Sequence, residues 1–313
     1  MKQHTPYIYY LLFLITGLFF SCEDDITFEF ANYGEKVVVE GYIEEGELAK
    51  VFLTRSHGFF EPLSNDSVLV TINGIGFYVP ELLSEILIID AKVIVSDGTL
   101  IDSLELSLDP YTFPYVYYSG KNIIGQTGGV YELSVFTDGK LLSATTSIPV
   151  SIPIDSLWFE PLSEKYDSIG YIHGIFDDIP ELGNYFRFFS KSEGRDSIYV
   201  HPWNSVWYDR NINGEEDVEF ALYHGANDYE DIEDIGRWYF HVGEKVSVKF
   251  CTIDRENYEF WQSFQRNAGG SGNPFASPSP TITNIEGGLG IWGGYGVYKV
   301  DYIVQINDSI DSK

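Results

Sequence analysis

Val37-Val38-Val39-Glu40-Gly41-Tyr42-Ile43, then Glu44-Glu45-Gly46-Glu47, then Ala49-Lys50-Val51-Phe52-Leu53-Thr54-Arg55, decides the fold class. Apolar and polar residues alternate on both sides of a short connection, the period of two paired strands with one buried face. The device recurs downstream. Ala91 to Ser96 runs into Asp97-Gly98, and Val130 to Thr137 runs through Asp138-Gly139 into Lys140 to Ser147. Asp-Gly between alternating stretches is a strong hairpin signal, because such turns need φ > 0 at their centre. Val79 to Ile86 reads as a helical turn. Residues 35–150 are expected to form an immunoglobulin-like β-sandwich.

Ile148-Pro149-Val150-Ser151-Ile152-Pro153-Ile154 marks the expected boundary, since two prolines bias it to an extended linker. Residues 151–313 then read as a second antiparallel β domain with one short helix. Its strands are expected at 168–176, 185–190, 197–201, 218–223, 238–242 and 245–252, with terminal strands at 291–296 and 297–306. Asp254 is the expected cap of the helix, and Tyr258, Trp261 and Phe264 are expected near one face. Gly269 to Pro274 reads as a loop. The whole chain is expected to be mainly β.

The N-terminus carries an address. Lys2 precedes an apolar run, Tyr7 to Ser21, shorter than the roughly 20 residues a spanning helix needs. Residues 1–21 therefore read as a secretory signal. Cys22 closes the run and resembles a bacterial lipobox cysteine, which is lipidated and becomes the mature N-terminus; Phe19-Phe20-Ser21 before it is bulkier than usual. Residues 22–34 read as the lipidated tether. Glu23-Asp24-Asp25 resembles the export signal that sends lipoproteins of Bacteroidota-type bacteria to the outer face of the outer membrane. A solvated acidic tether and a periplasmic orientation stay open as the alternatives.

The 313 residues carry a formal net charge of -28. Phosphates are repelled by such a chain, which disfavours nucleic acid. It also disfavours peripheral binding to anionic membranes, so the lipid is the natural anchor. The 44% hydrophobic and 16% aromatic content is ample for a core and argues against global disorder. With Cys22 committed to the anchor, Cys251 has no disulfide partner in the mature chain and reads as a buried small hydrophobe.

The C-terminal motifs carry a family resemblance. Tyr258 to Phe264 is followed by Asn273-Pro274-Phe275-Ala276 and then by Thr283-Asn284-Ile285-Glu286-Gly287-Gly288-Leu289-Gly290-Ile291-Trp292-Gly293-Gly294-Tyr295. With Asp177-Asp178-Ile179-Pro180, Gly183-Asn184-Tyr185-Phe186-Arg187 and Val37 to Ile43, this order resembles domain of unknown function 4249. The resemblance implies a lipoprotein of Bacteroidota encoded beside a TonB-dependent outer-membrane receptor. An accessory or substrate-capturing subunit of that transporter is the expected role. A stand-alone glycan-binding or adhesion lipoprotein, with calcium-dependent loops, is the alternative. The family supplies no catalytic residues.

Other motifs are weaker. Gly288-Leu289-Gly290-Ile291-Trp292-Gly293 spells G-x-G-x-x-G but lacks the following helix and distal acid of a dinucleotide site, so its glycines read as structural. Asp209-Arg210-Asn211-Ile212-Asn213-Gly214 matches the first half of a calcium loop. The twelfth position is Phe220 instead of the bidentate Glu of an EF-hand. Asp209, Asn211, Asn213 and Asp217 remain the candidate Ca2+ ligands; an Asn213-Gly214 hairpin turn is the competing reading. The acidic run Asp228 to Asp234 reads as a solvated loop or a contact for a cation or basic partner.

Asp-Ser-aliphatic triplets place Ser67, Ser103, Ser156, Ser168, Ser197 and Ser309 after an Asp, where chance gives roughly one or two. They resemble O-glycosylation acceptors of exported Bacteroidota proteins, and are also good turn chemistry. Trp203, Trp207, Trp292 and Tyr295 are the candidate partner contacts, with core packing the alternative. No H-E-x-x-H, G-x-S-x-G or C-x-x-C occurs, and His173, His201, His224 and His241 lack ligand spacing. No enzyme activity and no cofactor beyond Ca2+ is expected, although dispersed carboxylates for glycoside hydrolysis stay open.

Overall fold

The alternating stretches become strands whose apolar positions share one face. The computed structural model describes residues 35–56, 66–72, 74–109, 115–225, 235–270 and 280–306. β1 (Val37–Glu44) and β2 (Leu48–Arg55) form the expected antiparallel pair. β3 (Ser67–Ile72) and β4 (Ile75–Pro80) make a separate hairpin that leads into α1 (Glu81–Ile86), the expected helical turn. β5 (Lys92–Ser96) turns into β6 (Ile101–Ser103) at Asp97, whose Oδ1 accepts the Thr99 and Leu100 N–H groups at 2.8 and 2.7 Å. β7 (Glu105–Leu108) and β8 (Val116–Ile124) follow. β9 (Val130–Thr137) and β10 (Lys140–Ser147) join through Asp138 and Gly139 at φ 52° and 69°, the turn that Asp-Gly forecasts.

The second half supplies β11 (Ser156–Ser163), β12 (Tyr166–Phe176), β13 (Tyr185–Ser192), β14 (Val206–Tyr208) and β15 (Val218–Leu222). The two-residue β16 (Phe240–His241), β17 (Lys245–Ile253), α2 (Arg255–Gly270) and β18 (Leu289–Ile303) complete it. The expected strand at 197–201 is only an isolated bridge from Ser190 to Val200. The one expected at 238–242 gives way to a 3-10 turn, Ile235–Trp238, before β16. The two expected terminal strands are the single β18.

One eight-stranded sheet, in the order β14-β13-β17-β18-β1-β2-β8-β7, runs through both halves of the chain. A four-stranded sheet, β10-β9-β5-β6, packs on one half of its inner face; Val93, Val95, Leu133 and Val135 meet Val39, Val51, Leu53 and Trp292 there. β11-β12-β15, with β16 beside β12, packs on the other half and brings Phe159, Ile172, Phe176 and Phe220 against Phe186, Phe188 and Phe250. The chain is thus mainly β, and its first half has the expected sandwich form.

The division expected at residue 150 is a change of core, not a break in the fold. β1 pairs in parallel with β18, so the ends of the described chain lie side by side in the central sheet. Glu35–Lys313 accordingly forms one compact unit. Nor is the proline-bearing stretch a free linker. Ile148 belongs to one core and Ile152 and Ile154 to the other, and the Val150 carbonyl accepts the Thr252 hydroxyl at 2.7 Å. β18 runs so close that a Cβ on Gly294 would stand 2.1 Å from the Ser147 carbonyl oxygen. On Gly290, at φ +109°, it would stand 1.8 Å from that of Val39. The glycine-rich motif is structural, as its context forecasts.

Asp254 caps α2 as expected, accepting the Asn257 N–H at 2.9 Å. The buried face is Asn257, Phe260, Trp261 and Gln265, the i, i+3, i+4, i+8 stripe; Phe264, expected on that face, is exposed. Ser271 to Pro274 lie outside the described residues, as do residues 1–34.

A chain ending at residue 150 lacks both the parallel partner of β1 and the Trp292 side chain that fills the first core. We expect the 35–150 fragment to show no cooperative urea transition, whereas 35–306 unfolds cooperatively. A sigmoidal transition in the shorter fragment would mean that the first core is self-sufficient.

Candidate functional site

Alternation also decides what the second face of the long sheet carries. Each strand that sends apolar residues inward sends the residues between them outward. On β1 these are Glu40, Tyr42 and Glu44; on β13, Arg187 and Phe189; on β17, Lys249 and Cys251; on β18, Tyr295. α2 lies over part of this face and adds Asn257 and Trp261. The result is a belt in which aromatic rings and cations interleave.

Tyr295 is its centre. The hydroxyl accepts from Arg187 Nη1 at 3.0 Å and from Trp261 Nε1 at 3.2 Å, and donates to Asn257 Oδ1 at 3.3 Å. The Arg187 guanidinium, 2% exposed, lies 3.5 Å from the centre of the Trp261 ring and 4.7 Å from that of Phe189. Among the described residues it forms no ion pair, so ring faces and the phenol supply its stabilisation. Lys249 instead pairs with Glu44 at 2.7 Å, while standing 4.4 Å from the Phe189 ring and 4.8 Å from Tyr199. Tyr42, Phe52 and Tyr117 continue the belt toward β8.

Two ionisable groups line this belt at the solvent boundary. Glu40 and His201 both reach solvent, yet walls of neighbouring side chains crowd them. This crowding pushes the Glu40 carboxyl above the usual carboxylate range, opposed by the Arg187 charge. It pulls His201 down to about 4, and the Arg187 charge adds to that shift. His201 is thus neutral at physiological pH. Cys251 is buried as expected, and burial pushes its thiol up to about 12.

Beyond the buried belt the surface opens. Trp203, 48% exposed, sits with Asn204 on a turn where Asn204 has φ 59°. Together with Val206 of β14 and Gln262, Gln265 and Arg266 of α2 it lines a hollow of about 340 Å³. Tyr223 holds the turn by donating its hydroxyl hydrogen to the Trp203 carbonyl, and Gln265 Nε2 donates to Ser205 Oγ at 3.0 Å.

A family model described as Domain of unknown function (DUF4249) matches residues 23–300. The chain belongs to the DUF4249 family. No curated protein matches it.

Within this DUF4249 chain the expected contact aromatics separate. Only Trp203 is open to a partner. Trp207 is half-buried against Phe188, at 5.3 Å between rings. Trp292 is fully buried and donates its Nε1 hydrogen to the Tyr131 carbonyl at 3.0 Å, and Tyr295 is the interior centre just described. The last two are corrections: both lie in a strand crossed by neighbours on each side, where a large ring is needed as filling. Arg187, His201, Glu40 and Lys249 were not singled out from sequence. For Glu40, Arg187 and Lys249 the signal was present as charged residues at outward positions of otherwise apolar strands; His201 lies outside the strands and gave none.

The expected cation loop is also rearranged. Asp209 is fully buried and accepts the Gly183 and Asn184 N–H groups, both at 2.9 Å. Asn213 donates its amide to the Pro180 carbonyl at 3.0 Å, while Asn211 and Asp217 lie at the surface. The competing hairpin reading is not met: Gly214 has φ +68°, but Asn213 is not in the positive-φ region, and a 3-10 turn, Asp209–Asn211, precedes it. Among the described residues no group of three or more His, Cys, Asp or Glu is arranged to hold a metal. Ser67, Ser103, Ser156, Ser168 and Ser197 are all exposed. Cys22, Glu23, Asp24, Asp25, Ser309 and the acidic run 228–234 lie outside the described residues.

The depressed His201 value has a definite pH consequence. Between about 4 and the ordinary histidine value near 6.5, the unfolded chain takes up a proton that the folded chain refuses. Stability therefore falls as pH drops through that window. Urea midpoints at pH 7 and pH 4.5 should fall further for the parent chain than for H201Q. Equal falls would show that His201 titrates as an ordinary surface histidine.

Proposed function

We propose that this DUF4249 chain is a lipid-anchored outer-membrane protein, facing the cell exterior, that captures substrate for a TonB-dependent barrel. The observation that carries the reading is the exposed Trp203 beside its hollow. A flat indole flanked by the Asn204 and Gln262 amides and the Arg266 guanidinium suits a ligand with apolar ring faces and polar edges, such as a saccharide. The lipobox-like Cys22 and the acidic triplet Glu23-Asp24-Asp25 support the address.

Tagged full-length protein, captured from gently solubilised outer membranes, should bring down one TonB-dependent barrel in near-stoichiometric amount. W203A should fold normally, with a melting temperature within about 2 °C of the parent, because a change at an open surface away from special features costs little. It should lose at least tenfold in affinity for an oligosaccharide that the parent binds. Recovery of the lipoprotein alone, with sugar binding intact, would replace the transporter reading by a stand-alone glycan-binding or adhesion lipoprotein.

We also propose that exposed serines of the Asp-Ser-aliphatic triplets carry O-linked glycan. Two of the preceding acids have structural duties. Asp102 Oδ2 accepts the N–H groups of Lys121, Asn122 and Ile123, and Asp196 accepts from Ser192 N and pairs with His224. The serines after them point to solvent nonetheless. Intact mass of the mature protein should exceed peptide plus lipid by hexose-scale increments. A mass equal to peptide plus lipid removes the proposal.

A further inference from the structure

Asp178 and Asp209 stand far apart in sequence and meet at one end of the second core. Asp178 follows β12 and is 7% exposed; Asp209 opens the turn after β14 and is 0% exposed. Each carboxylate takes main-chain donors, and the Ile179 N–H also bears on Asp178. Asp178 Oδ2 accepts the Gly214 N–H at 2.9 Å. Asp209 Oδ2 accepts the Gly183 and Asn184 N–H groups at 2.9 Å and Asn184 Nδ2 at 3.2 Å. Each leaves its other oxygen, Oδ1, buried and without a hydrogen-bond partner. Buried carboxylate oxygens are ordinarily satisfied, and a bare anion in a dry site is costly.

The two charges also act on each other. Burial, followed by the Asp209 charge, holds the Asp178 carboxyl above its ordinary range. Among the described residues no Lys, Arg or His pairs with either acid. Arg210, next in sequence to Asp209, is exposed and stacks on Tyr208 at 5.3 Å.

We propose that Asp178 and Asp209 together bind one divalent cation of the Ca2+ class through their two free Oδ1 atoms. Main-chain carbonyls of segments 178–184 and 209–215, with water, complete its shell. The donors are hard oxygens with no thiolate or imidazole, the set that suits Ca2+ and not zinc or copper. Two carboxylates balance the charge of one divalent ion. Of the four ligands that the loop motif forecast, only Asp209 takes part; its true partner comes from the Asp177-Asp178-Ile179-Pro180 stretch. The bound ion would tie the β12–β13 connection to the β14–β15 connection.

The test uses the full mature chain, stripped with EDTA and titrated with CaCl2 by calorimetry and by thermal melt. The expected result is one saturable site and a rise in melting temperature. D217N, which alters an exposed member of the forecast loop, should keep both, and D178N should bind at least tenfold more weakly. No heat and no thermal shift up to millimolar Ca2+ would overturn the proposal. So would unchanged binding in D178N, which would mark diffuse attraction to the acidic surface. If D178N does not fold, Tb3+ luminescence on the parent chain decides. One equivalent displaced by Ca2+ supports the site, and many weak equivalents overturn it.

Discussion

The parallel pairing of β1 with β18 is the constraint on which the rest depends. A parallel pair cannot be closed by a tight turn, so nearly the whole described chain is its crossover. That geometry demands close backbone approach. Gly290 sits at a positive φ against the Val39 carbonyl, and Gly41 lets the Trp292 ring lie where a Cβ would stand 2.8 Å from it. Glycine here does what no other residue can, at the entropic cost glycine always carries. Because the pairing is the seam of the central sheet, both cores stand on one support. The first core is completed by Ile285 and Trp292 from the second half, so the first half does not own all that buries its apolar residues.

The seam also explains why the outer face differs so much from the inner one. Strands with a period of two must put something on the face away from the core. Here that something is charge wrapped in aromatic rings. Among the described residues Arg187 is buried without a hydrogen-bonded carboxylate, only the Glu40 charge acting on it, a placement that normally costs several kcal/mol. The short stack on Trp261, the contact with Phe189 and the Tyr295 hydroxyl offset that cost together. Removing one member leaves the others exposed to the same penalty, so this polar group is cooperative in the sense that a partly satisfied network is worse than none. It fixes α2 on the sheet, and α2 in turn supplies Gln262, Gln265 and Arg266 to the hollow beside Trp203.

What the sequence made legible follows from which signals are local. Alternation and Asp-Gly turns are local, and β1, β2, β5, β9 and β10 fall where those signals put them. The Asp254 cap is local as well. Prolines near residue 150 gave the place where one core yields to the other. They could not show that Ile148, Ile152 and Ile154 are pinned, because the partners lie about a hundred residues further along, as Thr252 does for Val150. The aromatic contacts were misjudged for the same reason. Trp292 and Trp203 have equal claims in a sequence, and only where each falls, in the central seam or on an exposed turn, decides which ring is filling and which is surface.

Motif spacing failed for a different physical reason. A calcium loop is recognised when its ligands are wound around the ion by one continuous turn of backbone, so that alternate residues face a common centre. In segment 209–217 the 3-10 turn and the Asn213 amide's bond to Pro180 hold the chain in another path. Asp209 is turned inward, and Asn211 and Asp217 outward. What the loop retains is a buried acid, and what it meets is a second acid from Asp177-Asp178-Ile179-Pro180. Two carboxylates with satisfied Oδ2 atoms and bare Oδ1 atoms are held in place by main-chain donors that exist only when both connections are folded. Such a pair is preorganised by the same hydrogen bonds that bury it, and the repulsion between its charges is the part of the folding cost that a cation is suited to remove.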